Sequence, residues 1–332
     1  RRFSWSREAR GWALALFLSD SRLIPSTWRA QVFIVRCLAL FYATFPFIMS
    51  SLHLARLLAL AAIFIWASLA ALGVKLAHLP PFLLVGLTLA VAGIASLPTR
   101  RSWRVPARTF ALGTGGLFGY HFFLFLAFRN APAIEANLIN YLWPLLIVLL
   151  SPFLFPGLRL GLPHIMAGFA GFVGAALVVS KGRLAFEADY LLGYLAAVLA
   201  AFLWAGYSLA TRKLPPFPTA AVGGFCLASG ALSLLCHVLL EPLVIPAWGD
   251  VLWVLLLGLG PMGGAFFLWD RAMKLGDPRE IGLLSFLTPL LSTLLLVVSG
   301  GGRLDQWTLL GGGLILGAAL VGALAPPSRQ TA

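Results

Sequence analysis

Aromatic side chains inside long apolar segments are the residues of this sequence best suited to binding chemistry. Trp66, Tyr120, Trp204 and Tyr207 lie near the middles of such segments, whereas the tryptophans and tyrosines of membrane proteins usually gather at the two membrane interfaces. An indole N–H or a phenol surrounded by hydrocarbon needs a polar partner. The positions of these four residues therefore favour the wall of a polar cavity over a lipid-facing belt.

Two amides and an imidazole extend this aromatic set. Asn137 and Asn140 are three residues apart, so a helix places them on one face, and His121 lies deep in an apolar segment. Each also has a structural alternative, because buried amides can join helices and a neutral imidazole can bond to a neighbouring group. We predict that the substrate is contacted by Trp66, Tyr120, His121, Asn137, Asn140, Tyr141, Trp143, Trp204, Tyr207, Phe266 and Trp269.

Local signatures of catalysis and of metal binding are missing from the sequence. It contains no His-Glu-x-x-His, no Gly-x-Ser-x-Gly, no phosphate loop and no Cys-x-x-Cys. The three cysteines, Cys37, Cys226 and Cys236, lack the spacing of a metal site. We therefore expect no catalytic residue, no metal and no cofactor. An intramembrane enzyme or a scaffold that transports nothing is the alternative from another class.

The composition indicates a polytopic helical membrane protein. Of 332 residues, 60% are hydrophobic and 11% are charged, and the mean hydropathy is +0.94, whereas soluble domains carry about 25% charged residues. The apolar runs are continuous rather than alternating, which favours membrane-spanning helices over a β-barrel. The sequence predicts an all-α fold with ten spans, at Ala55–Leu76, Pro81–Leu97, Ala107–Arg129, Ala133–Pro152, Leu162–Ser180, Tyr190–Thr211, Thr219–Leu240, Trp248–Met273, Glu280–Ser299 and Gln306–Leu324.

An internal duplication organises these ten spans. A constant shift of 145 positions aligns glycines, basic residues, carboxylates and prolines in order, namely Gly113 with Gly258, Gly115 with Gly260, Gly119 with Gly264, Arg129 with Lys274, Glu135 with Glu280 and Pro144 with Pro289. A shift of 138 aligns Trp66 with Trp204. Because each copy holds an odd number of spans, the second copy enters the membrane from the opposite side. We predict two inverted five-helix repeats, 55–181 and 190–325, around a central cavity.

The charge distribution predicts an orientation and sets the N-terminal segment apart. If the first span starts in the cytoplasm, the cytoplasmic segments hold more than twice as many arginines and lysines as the outer ones, and positive charge gathers on the cytoplasmic side. Both termini are therefore expected inside. The net charge of +13 fits this bias, and no basic segment with interleaved aromatics outside the spans indicates nucleic-acid binding.

The first part of the chain is expected to lie outside the helical core. Residues 1–48 are rich in arginine and contain a weak apolar run, whereas Met49 opens a sequence typical of an inner-membrane protein. We interpret 1–54 as a non-core extension, with 1–48 arising from a translation start assigned too early. A cleaved basic leader and an interfacial helix with an arginine-rich face are the alternatives.

Charged and flexible positions inside the spans have mainly structural interpretations. Glu135 and Glu280 are placed at the starts of the fourth and ninth spans, where helix dipoles stabilise carboxylates. Asp270 is expected to pair locally with Arg271. Glycine clusters in the third and eighth spans are expected to combine close packing with bending.

Several motifs resemble the EamA type of the drug/metabolite transporter superfamily. They are Phe202-Leu-Trp204-Ala205, the Ala-x-Arg/Lys elbows at Ala127–Arg129 and Ala272–Lys274, and Pro-Leu-Leu at Pro144 and Pro289. The resemblance covers about 55–325. It implies that the first, third, fourth, sixth, eighth and ninth spans surround a central cavity while the fifth and tenth pack outside it.

The resemblance and the aromatic residues together predict a transporter. We expect export of a flat, weakly polar solute across the bacterial inner membrane by alternating access. Aromatic amino acids fit because rings stack on aromatic walls, and aromatic cations fit through cation–π contact. A broad-specificity metabolite exporter without aromatic preference is the alternative within this class. The expected partners are the substrate and the lipid bilayer, and the expected state is a monomer.

Overall fold

The computed structural model describes residues 50–298 and 304–324. The chain divides into the units 1–54 and 55–332, and the description below concerns the second. The predicted extension, 1–54, lies almost wholly outside the described residues. In the described part the secondary structure is helical, without strands.

Fourteen α-helices make up the described part of the chain. They are α1 (Ser51–Ala67), α2 (Leu69–Gly73), α3 (Pro81–Ala95), α4 (Ala107–Asn130), α5 (Ala133–Asn140), α6 (Leu142–Leu154), α7 (Leu162–Ser180), α8 (Leu191–Lys213), α9 (Val222–Leu240), α10 (Asp250–Leu259), α11 (Gly264–Leu275), α12 (Pro278–Ser285), α13 (Leu287–Val298) and α14 (Gln306–Leu324). Short 3₁₀ segments join several of them.

Nine helical segments in the described residues are long and apolar enough to cross a membrane, counting as one the consecutive helices that continue each other. The predicted second span differs from the others. Its helix α3 ends at Ala95, and the 3₁₀ segment Leu97–Trp103 turns away by 86°. The number of spans becomes ten if this bent pair is one crossing. Trp103, the last residue of this segment, packs over Gly224 of α9.

Besides the first span, which breaks at Ser68 between α1 and α2, three spans are interrupted midway, which the continuous apolar pattern did not reveal. The fourth span breaks at Tyr141 and the ninth at Phe286, and a proline follows three residues after each break, at Pro144 and Pro289. Proline has no N–H to donate to the carbonyl four residues earlier, so the helix is locally weakened. The eighth span breaks between α10 and α11.

Glycine faces hold the outer helices together. In the packing of α7 against α14, a Cβ built on Gly174 would lie 2.6 Å from the Gly311 carbonyl oxygen, and one built on Gly311 would lie 2.5 Å from the Gly174 oxygen. A Cβ on Gly230 of α9 would likewise lie 3.0 Å from the Gly86 oxygen of α3. These close approaches require residues without side chains.

Candidate functional site

A cavity of about 380 Å³ lies between the helices, within the range of small-molecule sites. Its wall comes from the first, second, third, fourth, sixth, eighth and ninth spans, and α7, α9 and α14 contribute no residue to it among those described. The wall includes Leu69 and Phe128, which are about one-third exposed, so the cavity reaches the surface. We call this side the open end; it is the side of the α4–α5 and α9–α10 connections.

An aromatic cluster forms the inner limit of the cavity. The Trp66 and Trp204 rings make an edge contact with centroids 5.7 Å apart, and Trp204 lies 5.4 Å from Phe266. Trp143 closes the group with its centroid 6.3 Å from that of Trp66. We call these four residues the aromatic floor. Aromatic rings of this kind stack on a flat ring and attract a cation.

The break in the eighth span holds one of these rings in place. Trp66 donates its indole N–H to the Pro261 carbonyl oxygen at 3.0 Å, which lies between α10 and α11. The break depends on glycine, because a Cβ on Gly263 would lie 2.0 Å from the Gly258 carbonyl oxygen. The third span has a comparable glycine cluster but is continuous over Ala107–Asn130. Of these two glycine clusters, the one in the eighth span interrupts its helix and the one in the third span does not.

Polar groups line the wall formed by α4 and α5. Tyr120, His121, Asn137, Asn140 and Tyr141 all belong to this wall. The Asn140 amide N–H₂ donates to the Tyr120 hydroxyl at 3.4 Å, and Oδ1 of Asn140 is buried without a hydrogen-bond partner. We call this group the polar wall. The cavity therefore has one aromatic side and one hydrogen-bonding side.

Nine of the eleven residues predicted to contact the substrate line this cavity, and two lie outside it. Trp269 is completely buried behind the floor, where its indole N–H donates to the Ser208 hydroxyl at 2.9 Å. Tyr207 packs on the other side of Trp204, with centroids 5.5 Å apart, and fills the space above Gly116. These two residues support the floor from behind.

Some residues that line the cavity were not predicted. Part of them could not be recognised from the sequence, and part carry a recognisable pattern. Leu84 and Val85 bring the second span into the wall, which neither the residues nor the resemblance had indicated. Thr288 and Ser292 line the cavity from α13. They are four residues apart in an apolar helix, the same kind of signal that identified Asn137 and Asn140.

Ion pairs and hydrogen bonds fill the opposite side of the protein, which we call the closed end. Asp270 accepts from Lys274 Nζ at 2.7 Å and from the Thr219 hydroxyl at 2.6 Å. Lys274 also donates to the Phe217 carbonyl oxygen at 3.1 Å and lies 3.5 Å from the centre of its ring. The predicted pair of Asp270 with Arg271 is wrong, because Arg271 is exposed and Lys274 is one helical turn away on the buried face.

Other contacts at the closed end join residues that are far apart in the sequence. Arg56 of α1 pairs with Glu280 at the start of α12, and Arg279 donates to the Arg159 carbonyl oxygen at 2.5 Å. Arg212 of α8 donates to the Gly276 carbonyl oxygen. These contacts tie the first, sixth and ninth spans together below the aromatic floor.

Asp277 organises the turn between α11 and α12, outside the spanning helices. Its carboxylate accepts the backbone N–H of Arg279 at 2.9 Å, and Pro278 follows it at the first helical position. Burial alone raises the pKa of the Asp277 carboxyl, but the hydrogen bonds and charge of Arg279 outweigh burial. The pKa therefore lies below its ordinary value.

Comparisons with known proteins relate this chain to a family of membrane transporters. The EamA-like transporter family matches the chain at residues 53–180 and 191–323. The aromatic amino acid exporter YddG of Ancylobacter novellus is 43% identical over 81% of this chain and 97% of its own length. The protein of the same name from Salmonella typhimurium is 28% identical over 58% of this chain and 69% of its own length.

A solved crystal structure agrees with the fold. It has 43% sequence identity to this chain and superposes with a TM-score of 0.78, covering 81% of this chain and 96% of that one.

Proposed function

The chain belongs to the EamA-like transporter family, and from that premise we propose that it exports aromatic amino acids across the bacterial inner membrane by alternating access. It is a multi-pass membrane transporter rather than an enzyme.

One observation carries the choice of solute: the cavity has an aromatic floor and a polar wall. A side-chain ring stacks on Trp66, Trp204 and Phe266, and each aromatic pair contributes about 0.5–1.5 kcal/mol beyond its buried area. The amino and carboxylate groups of the same molecule then face the polar wall. We propose as binding residues the nine predicted residues that line the cavity, with Tyr207 and Trp269 supporting the floor.

We further propose that ten spans form two inverted repeats, 55–181 and 190–325. Several observations support this arrangement. The family matches twice in succession, Trp66 contacts its counterpart Trp204, and the fifth span packs on the tenth through Gly174 of α7 and Gly311 of α14. The helix breaks at Tyr141 and Phe286 also fall at equivalent positions.

In the proposed orientation both termini are cytoplasmic, so that the open end faces outward and the closed end faces the cytoplasm. The arginine-rich segment around Leu97–Trp103 then lies on the cytoplasmic side, as the positive-inside rule requires. Closing the open end and parting the closed end would expose the same cavity to the cytoplasm. We propose that a monomer performs this cycle.

Efflux from proteoliposomes tests the proposal. Vesicles preloaded with tritiated L-phenylalanine should lose label faster with the protein than without it, and unlabelled tyrosine and tryptophan should compete. Trp204→Ala should reduce the rate at least about tenfold because it removes part of the floor. Trp248→Ala removes a ring of the α9–α10 connection that is 93% exposed and is not among the residues lining the cavity, and should leave the rate unchanged.

Two outcomes would reject the proposal in different ways. Equal efflux from empty and protein-containing vesicles would reject aromatic export. Equal competition by leucine or serine would favour a broad-specificity exporter over an aromatic one.

A further inference from the structure

The cavity contains no formal charge among the described residues that line it. Lysine, arginine, aspartate and glutamate are all absent from its wall. A zwitterionic amino acid must therefore be held by neutral dipoles and aromatic faces. Which of its two charged groups is recognised depends on whether the wall offers acceptors or donors.

His121 offers an acceptor, and its backbone contact fixes this. Its Nδ1 lies 2.7 Å from the Leu117 carbonyl oxygen, which can only accept, so Nδ1 carries the proton. No carboxylate lines the cavity to balance an imidazolium, so the neutral ring is favoured. Nε2 then carries a lone pair. The Nδ1 contact is the hydrogen bond that the His121 ring makes with the described residues, and His121 lines the cavity.

The position of His121 connects the two sides of the cavity. Its ring centroid lies 5.0 Å from that of Tyr120 on the polar wall and 6.1 Å from that of Phe266 on the floor. A ring resting on the floor therefore places a short polar chain beside Nε2. Asn140 Oδ1 is a second acceptor without a partner; it is buried in this structure and reaches a ligand only when the amide turns toward the cavity.

We propose that the cavity recognises the α-ammonium group of its substrate through Nε2 of His121, with Oδ1 of Asn140 as the second acceptor, and does not require the carboxylate. The inference rests on the proposed aromatic export and specifies how the solute is recognised. An ammonium brings three N–H donors and is also attracted to the aromatic faces of the floor. A carboxylate meets no cation in the wall. Aromatic primary amines without a carboxylate should therefore bind, and aromatic acids without an amine should not.

Competition between two matched analogues tests this selectivity. In uptake of tritiated L-phenylalanine by proteoliposomes at equal pH on both sides, 2-phenylethylamine should inhibit within about threefold of unlabelled phenylalanine, whereas 3-phenylpropionate should be at least about tenfold weaker, as expected for loss of a hydrogen bond to a charged group. Equal inhibition by the two analogues, or stronger inhibition by 3-phenylpropionate, would overturn the proposal.

Two substitutions assign the selectivity to His121. His121→Phe keeps a ring beside Tyr120 and Phe266 but removes the acceptor, so the preference for the amine should fall below about threefold. His121→Gln keeps an acceptor oxygen and should retain more of the preference. A well-folded His121→Phe protein with full amine selectivity would overturn the role of this residue. If His121→Phe does not fold, the glutamine variant and the wild-type competition still decide.

Binding without transport separates this inference from the export proposal. Titration of intrinsic tryptophan fluorescence with each analogue reports occupancy of the floor. Selective binding of 2-phenylethylamine without phenylalanine transport would reject export and support ammonium recognition. Phenylalanine transport with equal binding of both analogues would support export and reject ammonium recognition.

Discussion

Positions that the proposed duplication makes equivalent are used differently at the two ends of the molecule. At the closed end, Lys274 and Glu280 are held by Asp270 and Arg56. At the open end, their counterparts are Arg129, which is exposed and has no hydrogen bond or ion pair among the described residues, and Glu135, whose Oε2 is buried without a partner.

The counterpart of Asp270 sharpens this difference. A shift of 145 positions places Phe125 there, and Phe125 lines the cavity near the open end. One end therefore carries an acid that anchors a buried network, and the other carries an apolar ring in the cavity wall. Equivalent positions of the two related bundles therefore carry a buried ion-pair network at the closed end and an apolar cavity wall at the open end, where other residues form the polar contacts, such as Glu241 with His237 and His78 with Asp250.

The largest expected effect compares Lys274→Met with Arg129→Met. Removing Lys274 leaves the fully buried Asp270 side chain without its cation, and loss of one partner of a buried pair costs about 3–5 kcal/mol. Arg129→Met should change the free energy of unfolding by less than about 0.5 kcal/mol. Unfolding by SDS titration in mixed micelles measures both. Similar losses of unfolding free energy in the two variants would contradict the proposed difference between the closed and open ends.

Gly260→Ala and Gly115→Ala compare the broken and continuous spans at equivalent positions. A Cβ on Gly260 would lie 2.7 Å from the Leu256 carbonyl oxygen, whereas one on Gly115 meets nothing within 4 Å. We expect Gly260→Ala to destabilise by about 2 kcal/mol and to loosen the support of Trp66. Gly115→Ala should be neutral or stabilise by up to about 1 kcal/mol, as in other helices. Thermal unfolding with tryptophan fluorescence as readout follows both effects, and a stable Gly260→Ala protein would contradict the role of the break.

These glycines also show how far the sequence could predict the structure. Gly115 and Gly260 aligned in the repeat, but only the surrounding backbone shows that one lies in a helix and the other in a break. The prolines at 144 and 289 marked the two other breaks, since their missing N–H acts locally. The helical class and most span boundaries followed from apolar run length alone.

Most residues that line the cavity could be predicted from their chemistry. Which residues only support the wall, and which apolar residues complete it, could not. Polar or aromatic residues at mid-span identify a wall because hydrocarbon penalises them. Tyr207 and Trp269 carry the same signal but lie behind the floor, since one-dimensional spacing does not tell the layer that faces space from the layer that supports it. Leu84 and Val85 gave no signal, because an apolar lining residue looks like any core residue.

Glu280→Gln and Glu135→Gln test whether the closed end is held by its ion pair. Cys226 is completely buried in a helix that starts at the closed end and can report opening once Cys37 and Cys236 are replaced by serine. We expect Glu280→Gln to speed maleimide labelling of Cys226 about fivefold, a modest effect because the Arg56 side chain is 33% exposed. Glu135→Gln should change the rate less than twofold, because Glu135 forms no ion pair with the residues that the structure describes. Equal acceleration of Cys226 labelling by both substitutions would show that the Arg56–Glu280 ion pair does not hold the closed end shut.

The smallest expected effect is the contribution of the Asp277 carboxylate to the pH dependence of stability. Because the pKa of its carboxyl is lowered in the folded protein by Arg279, against the effect of burial, the stabilisation is present above the unfolded carboxyl pKa of about 4 and is lost as pH falls below it. Asp277→Asn keeps a good helix cap but removes the charge. At pH 7 the wild type should melt about 2 °C above this variant, and the difference should vanish toward pH 3. A difference that stays constant over this range would mean that Asp277 acts at the closed end as a neutral cap and that its charge does not stabilise the fold.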